Sequence, residues 1–293
     1  MAEFEKLVRD KQRLFDQTPE NLATASVKAQ RQIWNDVSDL VQSLETDEDG
    51  RVAQTQTNIR KIGEIQTALV SAIAGSEYID AVRTFLGDID QGARLSNDIA
   101  KQIQRSFEPS EVVKQLLEIS KQNALQSLLG ESMRARVTLP FVEQLTAAVA
   151  TRSTLSETVK ALRTVIEGDK DVDGRLVANV KTVAQTAQAI ADRNYSAQVN
   201  ESVGAEWYRY AGSEIDTTRD FCSERHQQYY HKKEIEGWAD ENWDGKIAET
   251  NSRTIFSNAG GWNCRHSIIA VSIRRVPPEV VQRNIANGNY KPN

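Results

Sequence analysis

The chain has 293 residues, 39% of them hydrophobic and 26% charged, with a formal net charge of -5. That length supports one or two domains with real cores, and no apolar run reaches the ~18 residues of a membrane-spanning helix. The acidic balance excludes a broadly basic nucleic-acid module, which needs Lys and Arg to neutralise phosphates. Residues 201–293 carry 12 basic and 13 acidic side chains against 24 and 28 in residues 1–200, so neither part is basic.

In chain order, the opening MAEFEKLVRDKQRLF mixes acids and bases and has no apolar core, unlike a secretory signal. The expected setting is a reducing cytosol, or something assembled there, and two cysteines are too few for a disulfide scaffold. The acidic stretch from Glu45 to Arg51 reads as an exposed turn. Ile59, Ile62, Gln66, Leu69 and Ile73 then follow three- and four-residue steps, a helix stripe interrupted by one Gln. After Pro109, a helix starts near Ser110 and Glu111 and ends at Gly130, with Leu116, Leu117, Leu125, Leu128 and Leu129 on its apolar side. Two further helices are expected at about 141–152, following Pro140, and at 155–166, stopped by Gly168. A last stripe runs Leu176, Val180, Val183, Ala187, Ile190, with Ala184 and Ala191 beside it. Apolar stripes at this spacing are core by default, and they are too short for a sustained coiled coil, so antiparallel packing is expected.

Near residue 200 the vocabulary changes. The last 93 residues hold four of five Trp, five of seven Tyr, and every Cys and His. Trp207 to Tyr210 and Ile268 to Ile273 have strand composition. Gly212, Gly237, Gly245, Gly260 and Gly261 mark turns, and a short helix is expected from Glu279 to Ala286. The expected architecture is therefore mainly α: an elongated body of antiparallel helices followed by a small α+β domain clustered around Cys and His. The boundaries are 1–110 and 111–204 for two helical regions, 205–276 for the compact domain and 277–293 for a tail, loose or docked.

Both cysteines and all three histidines fall between Cys222 and His266. On a helix, Cys222 and His226 would share a face; on a strand, Cys264 and His266 would share one too. Two thiolates and two imidazoles converging form the ligand set of a closed structural zinc site, with His231 left over because four ligands complete a tetrahedron. A disulfide between Cys222 and Cys264, two free thiols, or a catalytic metal are the alternatives. Asp216 and Arg219 are spaced for a local ion pair or an anion site, although a turn locked by Asp and Thr side chains is the simpler reading. Enzyme signatures are scarce: there is no P-loop, dinucleotide fingerprint, Gly-x-Ser-x-Gly or His-Glu-x-x-His.

The string from Asp216 through Thr217, Thr218 and Arg219 to Cys222, a Trp-rich middle, and Gly260-Gly261-Trp262-Asn263-Cys264-Arg265-His266 resembles the phage Mu protein F-like minor head proteins, also called phage head morphogenesis proteins. The helices around Ser153 to Gly168 and Val180 to Thr186 resemble those preceding the family motif, so the likeness covers about residues 120–273. This chain departs in carrying Arg225-His226 where members often have Gly after the first Cys or His. The resemblance implies a non-enzymatic virion structural protein, made in the host cytoplasm and located in the capsid interior or neck. It would contact the portal or major capsid protein in several copies during head assembly, DNA packaging or ejection, meet nucleic acid only indirectly, and need no membrane. In that motif Asp216, Arg219, Gly260, Gly261 and Asn263 are expected to be structural. The other function class is a metal-dependent hydrolase, acting on nucleic acid or peptidoglycan and carried in the virion.

Overall fold

Helix-forming runs rich in Ala, Gln, Leu and Val give way after residue 204 to short, turn-separated segments with aromatic and β-branched residues, and the structure follows that change. The computed structural model describes residues 2–292. Helices α1 (Ala2–Gln42), α2 (Gln56–Gly75), α3 (Glu77–Lys101) and α4 (Glu111–Leu129) come first. Helix α5 (Glu131–Met133) runs through a π-helical turn, Arg134–Thr138, into α6 (Leu139–Thr151), followed by α7 (Leu155–Glu167) and α8 (Arg175–Ser202). The remainder holds β1 (Trp207–Gly212), α9 (Asp220–Ser223), β2 (Tyr229–His231), α10 (Lys232–Gly237), α11 (Ile255–Asn258), β3 (His266–Val271) and α12 (Pro278–Ala286). The chain is thus mainly helical, with a small antiparallel sheet near its C-terminal end.

Two compact units form. One draws on residues up to Thr18, Gly87–Gln122 and the chain from Gln185 onward; the other on Pro19–Leu86 and Asn123–Ala184.

The second unit is built from helix signals that the sequence states locally. Thr55 caps α2 by accepting from the Asn58 amide at 3.2 Å. Thr154 and Glu157 form a capping box at the start of α7, each side chain satisfying the other's backbone N–H. The buried face of α2 is Asn58, Ile65, Leu69, Ala72 and Ile73: it keeps Leu69 and Ile73 of the expected stripe but is rotated at the start of the helix, where Asn58 is buried and Ile59 exposed. The cause is Asn58: its amide donates to the carbonyls of Glu45 (2.9 Å) and Ala53 (2.7 Å) and accepts from the Glu45 N–H (2.9 Å). This network fixes which side of the helix faces inward. It also holds the 45–51 turn, which closes with a bridge between Thr46 and Val52.

In the first unit the sheet order is β2-β1-β3, both pairings antiparallel, with Trp207 opposite His231 and Val271, and Gly212 opposite His266. The sheet is packed on both faces, so the central strand β1 and the edge strand β3 are buried along nearly their whole length. On one face Trp207, Ala211, Ile269 and Val271 pack with Phe4, Val8, Ile99 and Val276. On the other, Tyr208, Tyr210, Ile268 and Ala270 pack with Phe221, Cys222, Ile235, Trp238 and Cys264. The core of the 205–276 region therefore extends to α1 and α3, because a sheet buried on both faces needs cover that 70 residues do not supply. The tail docks as well: Tyr290 sits edge-on to Trp207 at 5.3 Å between ring centres. Deep in this unit, the Lys11 ammonium donates to Ser96 (2.6 Å), Asp192 (2.6 Å) and Ser196 (2.8 Å), so all three ammonium protons are satisfied.

Candidate metal centre

The site assembles where two turns meet one strand end. Helix α9 supplies Cys222, the turn before β3 supplies Cys264, and the first residue of β3 supplies His266. One ligand atom from each lies within 4.8 Å of the other two, and all three residues are buried. The sulfurs are 3.6 Å apart and unbonded, and the Cys264 sulfur lies 3.9 Å from His266 Nδ1. Tetrahedral zinc with ordinary bond lengths sets edges of roughly 3.8 Å between sulfurs and roughly 3.6 Å from sulfur to nitrogen. The spacing fits such an ion with little movement, so this group could hold a metal.

His226 is not in the group. Helix α9 ends at Ser223 and the chain turns through 224–227, with Gln227 at φ 60°, so the four-residue spacing no longer puts His226 on the face of Cys222. Its Nδ1 instead faces His266 Nε2 at 3.1 Å, and its Nε2 lies 3.7 Å from Glu214. Burial, opposed by Glu214 and aided by His266 and Arg209, lowers its pKa below the ordinary histidine value. With its Nε2 toward Glu214, a neutral His226 ring can accept the Nε2 proton of His266, the tautomer that a metal bound at His266 Nδ1 would require. That is how a residue beside a metal site orients a ligand without binding the ion. His231 stands apart: its Nδ1 caps α10 by accepting from the Lys233 amide at 3.2 Å.

The two thiols do not ionise alike. The hydrogen bond from Cys222 holds Cys264 well below the usual thiol value; burial opposes this, while Arg193 and His266 reinforce it. Cys222 is pushed up by that same partner and then by burial. The His266 backbone N–H also points at the Cys264 sulfur, at 3.3 Å. One sulfur is thus prepared as a thiolate, the form that binds metals.

Around these atoms the motif residues serve as scaffolding. A Cβ at position 260 would stand 2.3 Å from the Cys222 sulfur and 2.7 Å from that of Cys264, so only Gly leaves room for them. Gly261 has φ +94°, and a Cβ there would meet the Gly245 carbonyl at 2.0 Å. Arg219 donates to the carbonyls of Trp262 (2.8 Å) and Gly260 (3.5 Å), tying the α9 turn to the glycine turn. Asp216 is exposed in a turn that Thr218 locks by accepting from the Ile215 N–H at 2.7 Å. Asn263, at φ 55°, accepts from the Thr186 hydroxyl at 3.1 Å.

No protein-family model, curated protein or solved structure matches the chain. Its chemistry has to be read from its own residues.

Two of those residues escape a motif search. Arg193, 3% exposed, donates to the carbonyls of His266 (3.1 Å), Asn258 (3.2 Å) and Cys264. Its sequence signal is faint: a charged Asp192-Arg193 pair inside an Ala- and Gln-rich helix. Tyr210 places its hydroxyl 3.2 Å from the Cys222 sulfur and 3.7 Å from that of Cys264, while its ring stacks on His266 at 5.0 Å. Burial raises its pKa well above the ordinary phenol value, so the proton stays on the oxygen as a donor to sulfur. Strand alternation, which sets Tyr208 and Tyr210 on one face, was the available clue. Arg225 is also placed: it forks onto Glu241 at 2.8 and 2.7 Å and lies over the Phe221 ring, 4.0 Å from its centre.

Among the described residues no helix is long and apolar enough to cross a membrane.

Proposed function

We propose that the chain is a non-enzymatic structural protein of a bacteriophage virion, a minor head protein of the Mu protein F-like kind. In this reading it is made in the host cytoplasm, associates in several copies with the portal and the inner capsid, and serves head assembly, DNA packaging or ejection. Zinc bound by Cys222, Cys264 and His266 joins the α9 turn to β3, and metal binding adds folding free energy to a segment rich in turns. The observation carrying this reading is the closure of the motif on itself. Arg219, Gly260 and Gly261 are consumed by backbone contacts that lock two turns together, which suits a rigid docking module. The near-equal numbers of acids and bases after residue 200 fit indirect rather than direct contact with DNA. The test is to co-express the chain with the portal and major capsid proteins of its own phage and to sediment the particles. The chain is expected in the particle fraction in minor copy number. Particles lacking it, together with purified portal and capsid subunits that fail to bind it, would overturn the proposal.

One observation favours a second reading, a metal-dependent hydrolase carried in the virion. A cleft of about 310 Å³ reaches all three metal-group residues, as a substrate site would. Nucleic-acid and peptidoglycan hydrolysis assays with zinc-loaded protein, repeated with chelator under conditions where the fold persists, discriminate the two. Chelator-sensitive turnover supports the hydrolase, and its absence supports the assembly protein.

A further inference from the structure

The candidate metal group has three protein ligands and room for a fourth from outside. Zinc takes thiolates, imidazoles and carboxylates, and structural sites are closed by four of them. Among the described residues, Cys222, Cys264 and His266 gather without a fourth Cys, His or carboxylate. His226 stands on the far edge of the His266 ring, 3.1 Å from its Nε2. The Gly260 backbone and the Tyr210 hydroxyl crowd another side: a Cβ at 260 would lie 2.9 Å from that hydroxyl. That hydroxyl lies 3.2 Å from the Cys222 sulfur and 3.7 Å from that of Cys264, on the side away from solvent where Tyr210 is buried. The remaining approach is the cleft of about 310 Å³, whose wall includes Cys222, Cys264 and His266 themselves. Its other charged lining residues are Arg219, Arg265 and Asp244, two cations against one anion, with Ser213 and Asn263 as polar neighbours.

We propose that the bound metal keeps an exchangeable fourth coordination position facing this cleft, and that this position takes a small anionic ligand such as a carboxylate. The inference rests on the metal reading above. It goes further in making the centre a ligand-binding site with three protein donors rather than a sealed clamp. The cleft arginines give the site its preference for anions over neutral ligands. Arg265 contributes through its charge: its guanidinium lies 3.8 Å from Asp16 and still lines the cleft wall.

The experiment uses the full-length reduced protein, stripped of metal and titrated with cobalt(II). One equivalent is expected to give the thiolate-to-cobalt charge-transfer band and the visible bands of a tetrahedral ion. Azide and acetate are then added at constant ionic strength, with perchlorate as the control salt. A saturable change in the visible bands with azide and acetate, and none with perchlorate, is the expected result. In Arg265→Gln the azide affinity falls by about fivefold, the effect of removing one partly screened charge at this range. In His226→Ala the cobalt affinity falls, because the ring that orients His266 is lost, while at saturating cobalt the anion response is kept. A cobalt spectrum with two thiolates that ignores both anions would overturn the open position while leaving the metal site standing. A response that appears only in Tyr210→Phe would assign the fourth position to the phenol and also overturn it. Failure to develop any thiolate-to-cobalt band removes the metal reading itself, and this proposal with it.

Discussion

The helical unit and the Cys/His end of the other unit are held together by different means. In the helical unit, stability is spread over many equivalent apolar contacts: Ile65, Leu69, Leu128, Leu145 and Leu162 are all fully buried, and the helix ends are closed by their own side chains. Around the metal group, a few polar residues each make several contacts that no neighbour duplicates. Arg193 alone serves three backbone carbonyls, at the end of α11, in the turn before β3 and at the first residue of β3, and Gly260 alone leaves space for two sulfurs. Distributed packing tolerates the loss of one part. A knot with single anchors does not.

The largest expected effect is at the knot. Arg193→Ala strands three carbonyls that had charge-assisted partners, and should cost on the order of 3–5 kcal/mol in urea unfolding. Arg193→Lys should recover less than half of that, since an ammonium cannot reproduce the planar fork. If Arg193→Ala costs under about 1 kcal/mol, the single-anchor account of this end is wrong.

Next comes the core of the other unit. Leu162→Ala in α7 removes a fully buried side chain, with an expected cost of about 3 kcal/mol by the same measurement. Metal uptake at the proposed Cys222, Cys264 and His266 site should be unchanged in this variant, whereas it should fall in Arg193→Ala; metal titration of both proteins tests whether the damage stays local. Thr154→Ala breaks the capping box of α7 and should cost about 1 kcal/mol. A loss as large as that from Leu162→Ala would mean that the caps, rather than the packed faces, hold this unit.

A smaller effect comes from His231. Burial lowers its pKa in the folded chain beneath the ordinary value of about 6.5. The unfolded state therefore binds the proton more readily, so stability is retained above pH ~6.5 and declines as pH falls through the folded value. Measured against His231→Asn, which keeps a capping side chain at the start of α10, the wild type should lose more stability between pH 7 and pH 5. Parallel curves for the two proteins would show that this histidine is not the cause. The smallest effect is expected at Asp216, exposed in its turn, where Asp216→Ala should stay within about 0.5 kcal/mol.

The difference between the two regions also explains what could be read in advance. Helix ends at Glu111, Leu129 and Leu155 coincide with signals printed beside them: Pro109 and Ser110, Gly130, and Thr154 with Glu157. Strands β1 and β3 were visible in their composition, but β2 was not, because three residues are too few to show a period. The rotation of α2 was hidden as well, since it depends on Asn58 reaching carbonyls 5 and 13 residues away. In the metal group, Cys222, Cys264 and His266 were legible from residue type alone. His226 was misplaced because the helix assumed for it stops after four residues. Arg193 and Tyr210 lay outside the reading entirely; an arginine in a helix and a tyrosine in a strand announce nothing until the carbonyls and sulfurs they serve are in place.

By itself the order of residues determined the mainly helical class, the ends of α4, α6, α7 and α12 to within about two residues, and the confinement of the soft-ligand chemistry to one stretch near the C-terminal end. Those properties depend on neighbours a few positions apart, which a linear string displays. Tertiary structure decided which three of four candidate side chains meet, which histidine stands behind another, and which glycine must remain bare. These depend on contacts between residues 40 to 73 positions apart, where no periodicity carries the information.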